Sequence, residues 1–394
     1  MKKSTLLAVV AFGVVTLLVV VAAALWSTGV LRPSNNQTQE SSGGSGPAVE
    51  LSIEQVTPEE SARSFLETWV DDDGRVVRRD QGNDTVSEGQ AYGLMIALGA
   101  EDEERFEAIW SWTEQNLMRD DGLLAWRWRD GAVVDAEPAS DADVDAARAL
   151  VLAGERFDRA DFTAAGQELA AQVLDLMTAQ TSLGRILLPG LWAAGGPDYF
   201  YNPSYASPVS FTVLFESSGD PRWNELVDGG RAVTGALLDK SPLPPDWAQV
   251  TADGQVNAMP GAGGQGDDVR YSYDAARLPI RFAESCQEAD RNLAARMFPA
   301  LNRTPELPAV LDLGGAPLNE DQHPVGYLGR AAAAASAGQL DDAREDVRKA
   351  EKVAAQFSTY YGAGWVSTGR LMLETDVLGG CPVLAPQKIE VQDQ

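Results

Sequence analysis

Three carboxylates stand apart from the ordinary charged faces of this sequence. Glu88 opens a helical segment in VSEGQAYGL, Asp141 opens another in ASDADVDAARAL, and Asp274 lies in YSYDAARLPIR, three residues before Arg277. Aromatic residues accompany them: Trp126 and Trp128 in LLAWRWRDG, Tyr205 in NPSYASP, and Tyr271 and Tyr273 on either side of Ser272. Cleavage of a glycosidic bond needs this combination. One carboxylic acid protonates the leaving oxygen, a second carboxylate activates water or attacks the sugar, and aromatic faces stack on the sugar ring. Each residue also has an ordinary reading. Glu88, and Asp141 with Asp143 behind Ser140, would complement a helix dipole from a first turn. Asp274 and Arg277 stand at the spacing of a helical ion pair, and tryptophans fill cores. Their joint occurrence in one helical chain favours a shared site.

Composition narrows the field. Lys and Arg total 31 against 58 Asp and Glu, a net charge of −27 over 394 residues. Such acidity excludes nucleic acid as a natural partner, because phosphate backbones require a basic face. Hydrophobic residues make up 44% of the chain, enough for a sizeable core. With His323 as the single histidine, a His-activated Ser or Cys nucleophile and multi-imidazole metal sites lose most of their parts. Cys286 and Cys381 are too few for a disulfide framework or a four-cysteine zinc site. No metal and no cofactor is expected.

The chain begins with Lys2 and Lys3, followed by an uncharged apolar run from Leu6 to Trp26. A run of about 20 residues crosses a bilayer as a helix, and positive charge at its start holds that end inside. We expect residues 1–32 to form a single membrane-spanning signal anchor, with the remainder extracytoplasmic. A cleaved signal peptide cut near Ala22 to Ala24, giving a secreted enzyme, is the alternative. Residues 33–48, rich in Ser, Gly, Asn and Gln, read as a flexible tether. Residues 49–384 form one catalytic domain and 385–394 a tail. Outside the cytoplasm a disulfide is permitted, and Cys286 pairing with Cys381 is favoured over two separately buried thiols.

The elements that must position these residues are helices. Thr57-Pro58-Glu59-Glu60 is a capping box with proline at the first helical position, and Phe65, Leu66 and Trp69 follow at helical spacing. Ser87-Glu88-Gly89-Gln90 reads as a second box, and Ser140 as the cap of a helix over 141–154. Further helices are expected at 104–117, 161–179, 209–217, 222–239, 272–284, 289–298, 325–336, 341–356 and 364–374. Strand signals are scarce. The rhythm is that of an all-α toroid of helical hairpins, with a two-domain helical bundle as the alternative.

SEGQAYG, ASDAD with its following A-x-A-L-x-x-A-x-x-x-F, NPSY and YDAxRxP together resemble the signature segments of glycoside hydrolase family 8, from about Val56 to Thr375. LLPG, NPSY and PPDW are most similar to endoglucanases that accompany bacterial cellulose synthesis. The resemblance implies an (α/α)₆ barrel and an inverting, endo-acting cleavage of β-1,4-glucan. It implies Glu88 as general acid, Asp274 as general base, and Asp141 as the carboxylate that holds the distorted sugar. Tyr205, Tyr273 and Arg277 fall on positions that line the site, and Trp126 near a stacking position. It further implies a polysaccharide substrate, a monomer, and a functional link to a cellulose synthase. Xylan, mixed-linkage glucan and chitosan remain alternative substrates, and a non-catalytic glycan-binding envelope protein an alternative class.

These roles set physical requirements. Arg277 favours the charged form of Asp274, as a base needs. Glu88 must keep a proton although a helix dipole, worth about 0.3–1 kcal/mol, opposes it; burial or the nearby Asp141 has to outweigh that. Inversion calls for about 6.5–9.5 Å between the two carboxyl groups, against about 5–5.5 Å for a retaining pair. GAGGQGDD, Gly261 to Asp268, reads either as a mobile rim of the cleft or as a plain surface loop.

Overall fold

The computed structural model describes residues 56–266 and 268–385. The expected anchor, the tether and residues 386–394 of the tail lie outside the described residues. Among the described residues no helix is long and apolar enough to cross a membrane.

Twelve α-helices occur among them, in strict alternation. The odd members are α1 (Pro58–Trp69), α3 (Glu103–Leu117), α5 (Ala160–Leu176), α7 (Arg222–Lys240), α9 (Glu288–Leu301) and α11 (Leu340–Gln356). Each buries one apolar stripe, in α1 Ala62, Phe65, Leu66 and Trp69, and turns most of its charges to solvent; Asp290 of α9 and Asp346 of α11 are buried and paired with Arg231 and Arg330. The even members are α2 (Ser87–Gly99), α4 (Ser140–Arg156), α6 (Pro208–Ser218), α8 (Leu278–Ala283), α10 (Pro324–Ser336) and α12 (Tyr360–Glu374). All but α6, which exposes Thr212, Glu216 and Ser218, are buried over most of their surface. Small residues make that possible: Ala331 to Ala335 of α10 sit in the interior at near-zero exposure except Ala335 at 8%. Consecutive even helices touch, and α12 returns to α2, so the six close a ring. This is the expected (α/α)₆ arrangement of hairpins, and the two-domain bundle is set aside.

Charge inside the ring is paired. Arg148 of α4 and Glu284, just after α8, both fully buried, form a bidentate pair at 2.7 and 3.0 Å, and Arg281 pairs with Asp145 at 2.5 Å. Stripping one partner from such a pair leaves an uncompensated buried charge, at a cost of about 3–5 kcal/mol. The carbonyl of Glu284 accepts from the Cys381 amide at 2.7 Å, and Cys381 is bonded to Cys286. The C-terminal segment is thereby fastened to the corner between α8 and α9.

Sequence expectations need correction at several element boundaries. The capping box at Thr57 forms, with both reciprocal bonds. The box expected at Ser87 and the cap expected at Ser140 do not form. Helices α2 and α4 start at these serines, after Val86 and Ala139, and both hydroxyls are buried without a partner among the described residues. Gln90 instead accepts from the Val76 amide at 2.6 Å and donates to Thr113 at 2.8 Å. The helix expected to 179 ends at Leu176, and Thr178–Thr181 is strand β4, paired with β5 (Gly184–Leu187). Two three-stranded antiparallel sheets lie in other connections: β1 (Thr85–Val86), β2 (Arg127–Arg129) and β3 (Ala132–Asp135); β6 (Tyr199–Tyr201), β7 (Trp247–Val250) and β8 (Val256–Met259). Strands of two to four residues are too short for an alternating pattern to register. The segment 272–284 is a 3₁₀ turn, Ala275–Arg277, leading into α8, with Pro279 in the first turn of that helix.

Candidate active site

All six inner helices deliver residues from their starting ends to one mouth of the ring. Glu88 and Asp141 are the second residues of α2 and α4. Tyr205 precedes α6, Asp274 and Arg277 precede α8, His323 caps α10, and Tyr361 is the second residue of α12. Inner helices that run the same way gather their N-termini, so residues far apart in sequence meet.

Arg277, 3% exposed, is the centre of the cluster. Its Nη1 donates to Glu88 Oε1 at 2.8 Å and to Asp141 Oδ2 at 3.2 Å; its Nη2 donates to Asp274 Oδ1 at 2.5 Å. One planar fork therefore holds three carboxylates. Glu88 and Asp274 hang on different nitrogens of that fork. Nε of Arg277 donates to Ser204 Oγ at 3.1 Å. The NPSY segment explains this contact. Asn202 Oδ1 accepts from the Ser204 amide and hydroxyl, fixing Ser204, while the Tyr205 ring lies 5.3 Å from the Arg277 Cζ. Glu88 Oε1 also accepts from Tyr92 one turn on, at 2.6 Å, and Tyr92 accepts from Trp365 Nε1.

Three acids around one cation leave an excess of negative charge in a confined place. Burial pushes the Asp141 carboxyl up to about 7; Arg277 opposes this, and the neighbouring carboxylate of Glu88 adds to it. Asp141 Oδ1 has no hydrogen-bond partner among the described residues and is free to accept from a ligand. Asp143, fully buried behind it, is also raised, chiefly by burial, and its Oδ1 accepts from the Leu124 amide. The Glu88 side chain is 21% exposed.

Glu88 and Asp274 line a cavity of about 410 Å³ with Asp246, Trp247, Tyr273, Tyr361 and the loop Pro260 to Gly266. The Gly-rich segment does rim the cleft. Tyr205, Trp247, Trp192 and Phe200 follow one another at ring separations of 6.4, 6.2 and 5.7 Å, a run of aromatic faces leading away from the carboxylates. Tyr273 stands edge-on to His323 at 5.0 Å, and Tyr361 donates to the Tyr273 carbonyl. His323 is itself fixed as a cap, Nδ1 accepting from the Val325 amide, and burial lowers its imidazole to about 4. A larger cavity of about 930 Å³ opens between the C-terminal ends of α2 and α4, and none of the site carboxylates reaches it.

Of the residues singled out in the sequence, Glu88, Asp141, Asp274, Arg277 and Tyr205 meet directly, and Tyr273 lines the same cavity. Trp126 is half-buried beside Glu88: its carbonyl accepts from the Ser87 amide, but it is not among the residues lining the cavity of Asp274. Sequence reasoning missed Asp246, Tyr92, Tyr361 and Trp192. Tyr92 stands four residues after Glu88, a spacing that could have been read. Asp246 stands in PPDW, one of the segments that carry the resemblance, but its partners lie 26 and 29 residues away and that segment gives it no role.

The family model described as glycosyl hydrolases family 8 matches residues 48–363. A probable endoglucanase from Novacetimonas hansenii is 33% identical over 290 residues, 71% of this chain and 82% of that protein. The solved endo-beta-1,4-glucanase from Acetobacter xylinum is 27% identical with a TM-score of 0.67, covering 80% of this chain and 97% of that one. The endo-1,4-D-glucanase from Vibrio fischeri ES114, at 23% identity and a TM-score of 0.70 over 81% of this chain and 97% of that one, shares the fold.

Proposed function

Because the chain belongs to glycosyl hydrolase family 8, we propose that it is an endo-acting β-1,4-glucanase that inverts the anomeric centre, with Glu88 as general acid and Asp274 as general base. The observation that carries this reading is the convergence of Glu88, Asp141 and Asp274 on Arg277 from three separate helix starts. Glu88 gives its proton to the glycosidic oxygen as the bond from that oxygen to the anomeric carbon breaks. Asp274 takes a proton from a water whose oxygen bonds to the same carbon from the opposite face. Asp141 accepts from a hydroxyl of the distorted sugar, and Arg277 keeps the three acids in register. Long glucan chains suit the aromatic run from Tyr205 to Phe200.

The test is reducing-sugar release from carboxymethylcellulose, with xylan, mixed-linkage glucan and chitosan beside it. We expect cellulose-type chains to be cut by the parent and Glu88→Gln to lose about 10²–10⁴-fold in kcat. The first product of inversion is the α-anomer; a β-product from a β-glucan contradicts the mechanism, and binding without cleavage by the parent points to a glycan-binding protein. We further place the catalytic domain outside the cytoplasm, tethered as a monomer by the apolar run at Leu6 to Trp26 and serving a cellulose synthase. The Cys286–Cys381 bond supports that compartment. Recovery of the full-length protein from the soluble cytosolic fraction would sink it.

A further inference from the structure

We propose that Asp246 is a positioning residue for the general base: it takes over the capping of the turn that carries Asp274 and so leaves the Asp274 carboxylate free for chemistry. This deepens the glycosidase reading and rests on it. Asp274 is the residue immediately before the 3₁₀ turn Ala275–Arg277, the position from which an Asp ordinarily spends its side chain on the backbone amides of the following turn. It makes no such bond. The amides are already taken. Asp246 Oδ1 accepts from Ala275 N at 3.0 Å, the Ser272 carbonyl from Ala276 N at 2.9 Å, and the Asp274 carbonyl from Arg277 N at 3.1 Å. Asp246 also accepts from the Ser272 amide at 2.7 Å through Oδ1 and from the Ser272 hydroxyl through Oδ2.

A carboxylate 8% exposed therefore staples both ends of the Ser272 to Ala275 segment, while the Asp274 side chain between them stays one-third exposed and bonded to Arg277. Asp246 is held in its turn: its amide donates to the Arg270 carbonyl at 2.8 Å, and it leads directly into β7. On the other side Tyr361 donates to the Tyr273 carbonyl at 3.1 Å and Tyr271 pairs with Leu311. Without Asp246, the Ala275 and Ser272 amides would lose their acceptor, and Asp274 is the nearest carboxylate in sequence to replace it. The base would then turn onto its own backbone, away from the water it must activate. Displacement of a reacting group by about 1 Å costs on the order of 100-fold in rate.

Steady-state kinetics on carboxymethylcellulose tests this with the full chain. Asp246→Ala should lower kcat about 100-fold and leave KM within about threefold, because the aromatic run that binds the glucan is untouched. Asp246→Asn keeps the Oδ1 acceptor and should recover at least about tenfold of that loss. Asp246→Glu keeps the charge but moves the acceptor by one methylene and should be impaired like the alanine variant. A kcat within about threefold of the parent for Asp246→Ala or Asp246→Glu, or a loss that Asp246→Asn does not recover, overturns the proposal. Should Asp246→Ala fail to fold, the Glu and Asn variants decide it. A parent inactive on every β-glucan instead removes the glycosidase reading itself.

Discussion

Replacing Asp141 by Asn should make the protein more stable relative to the parent as pH rises, while destroying activity. Asp141 is 8% exposed, and its carboxyl is raised from 3.8 to about 7, first by burial and then by Glu88 against the pull of Arg277. An acid raised in the folded state is protonated there over a range in which the unfolded chain has already released its proton. Its contribution to stability is complete below pH 3.8 and is lost progressively as pH climbs to about 7. Between pH 5 and 8 that loss spans about two pH units, or about 3 kcal/mol. Asn carries no titrating proton, so the variant lacks this slope. The amide nitrogen finds no acceptor where Asp141 Oδ1 now has no partner among the described residues, a pH-independent cost of about 1–3 kcal/mol. The variant should thus be less stable than the parent at pH 5 and should equal or exceed it at pH 8. Reversible urea titrations at the two pH values measure the difference directly. If the stability gap between variant and parent moves by less than about 1 kcal/mol from pH 5 to 8, Asp141 is not held protonated by the fold, and the electrostatic account of the cluster is wrong.

Further expectations concern the scaffold and the cleft. Cys286 and Cys381 close a loop with a sequence separation of 95, so Cys286→Ser with Cys381→Ser should cost about 4–5 kcal/mol and lower the thermal midpoint, read by calorimetry with and without reductant. A Cβ on Gly329 of α10 would meet the Ala276 carbonyl at 2.5 Å. Gly329→Ala should therefore cost about 1–3 kcal/mol and lower kcat by shifting the turn that holds Asp274 and Arg277; unchanged kinetics would show that this turn tolerates displacement. Trp192 is 43% exposed at the outer end of the aromatic run. Trp192→Ala should raise KM on long glucan chains more than on short ones, and an equal effect on both would remove it from the binding path.

Local chemistry made much of this protein legible in one dimension. Helical spacing and proline-glycine punctuation mark out the alternating hairpins, the Thr57 box marks a true helix start, and Glu88, Asp141, Asp274 and Arg277 lie in the segments that carry the family resemblance. Those signals act within about four residues, the reach of one helical turn. Ser87 and Ser140 show where local signals stop. Each has the residue type of a cap, yet packing in the ring interior buries its hydroxyl and starts the helix at the serine itself. Asp246 on Ser272 and Arg277 on Glu88 span 26 and 189 residues, and no periodicity encodes a contact between distant stretches. Closure of the inner ring alone brings the six helix starts to one mouth. It also decides which acid is buried, so the raised proton affinity falls on Asp141, a choice that depends on the neighbours each carboxylate meets in space.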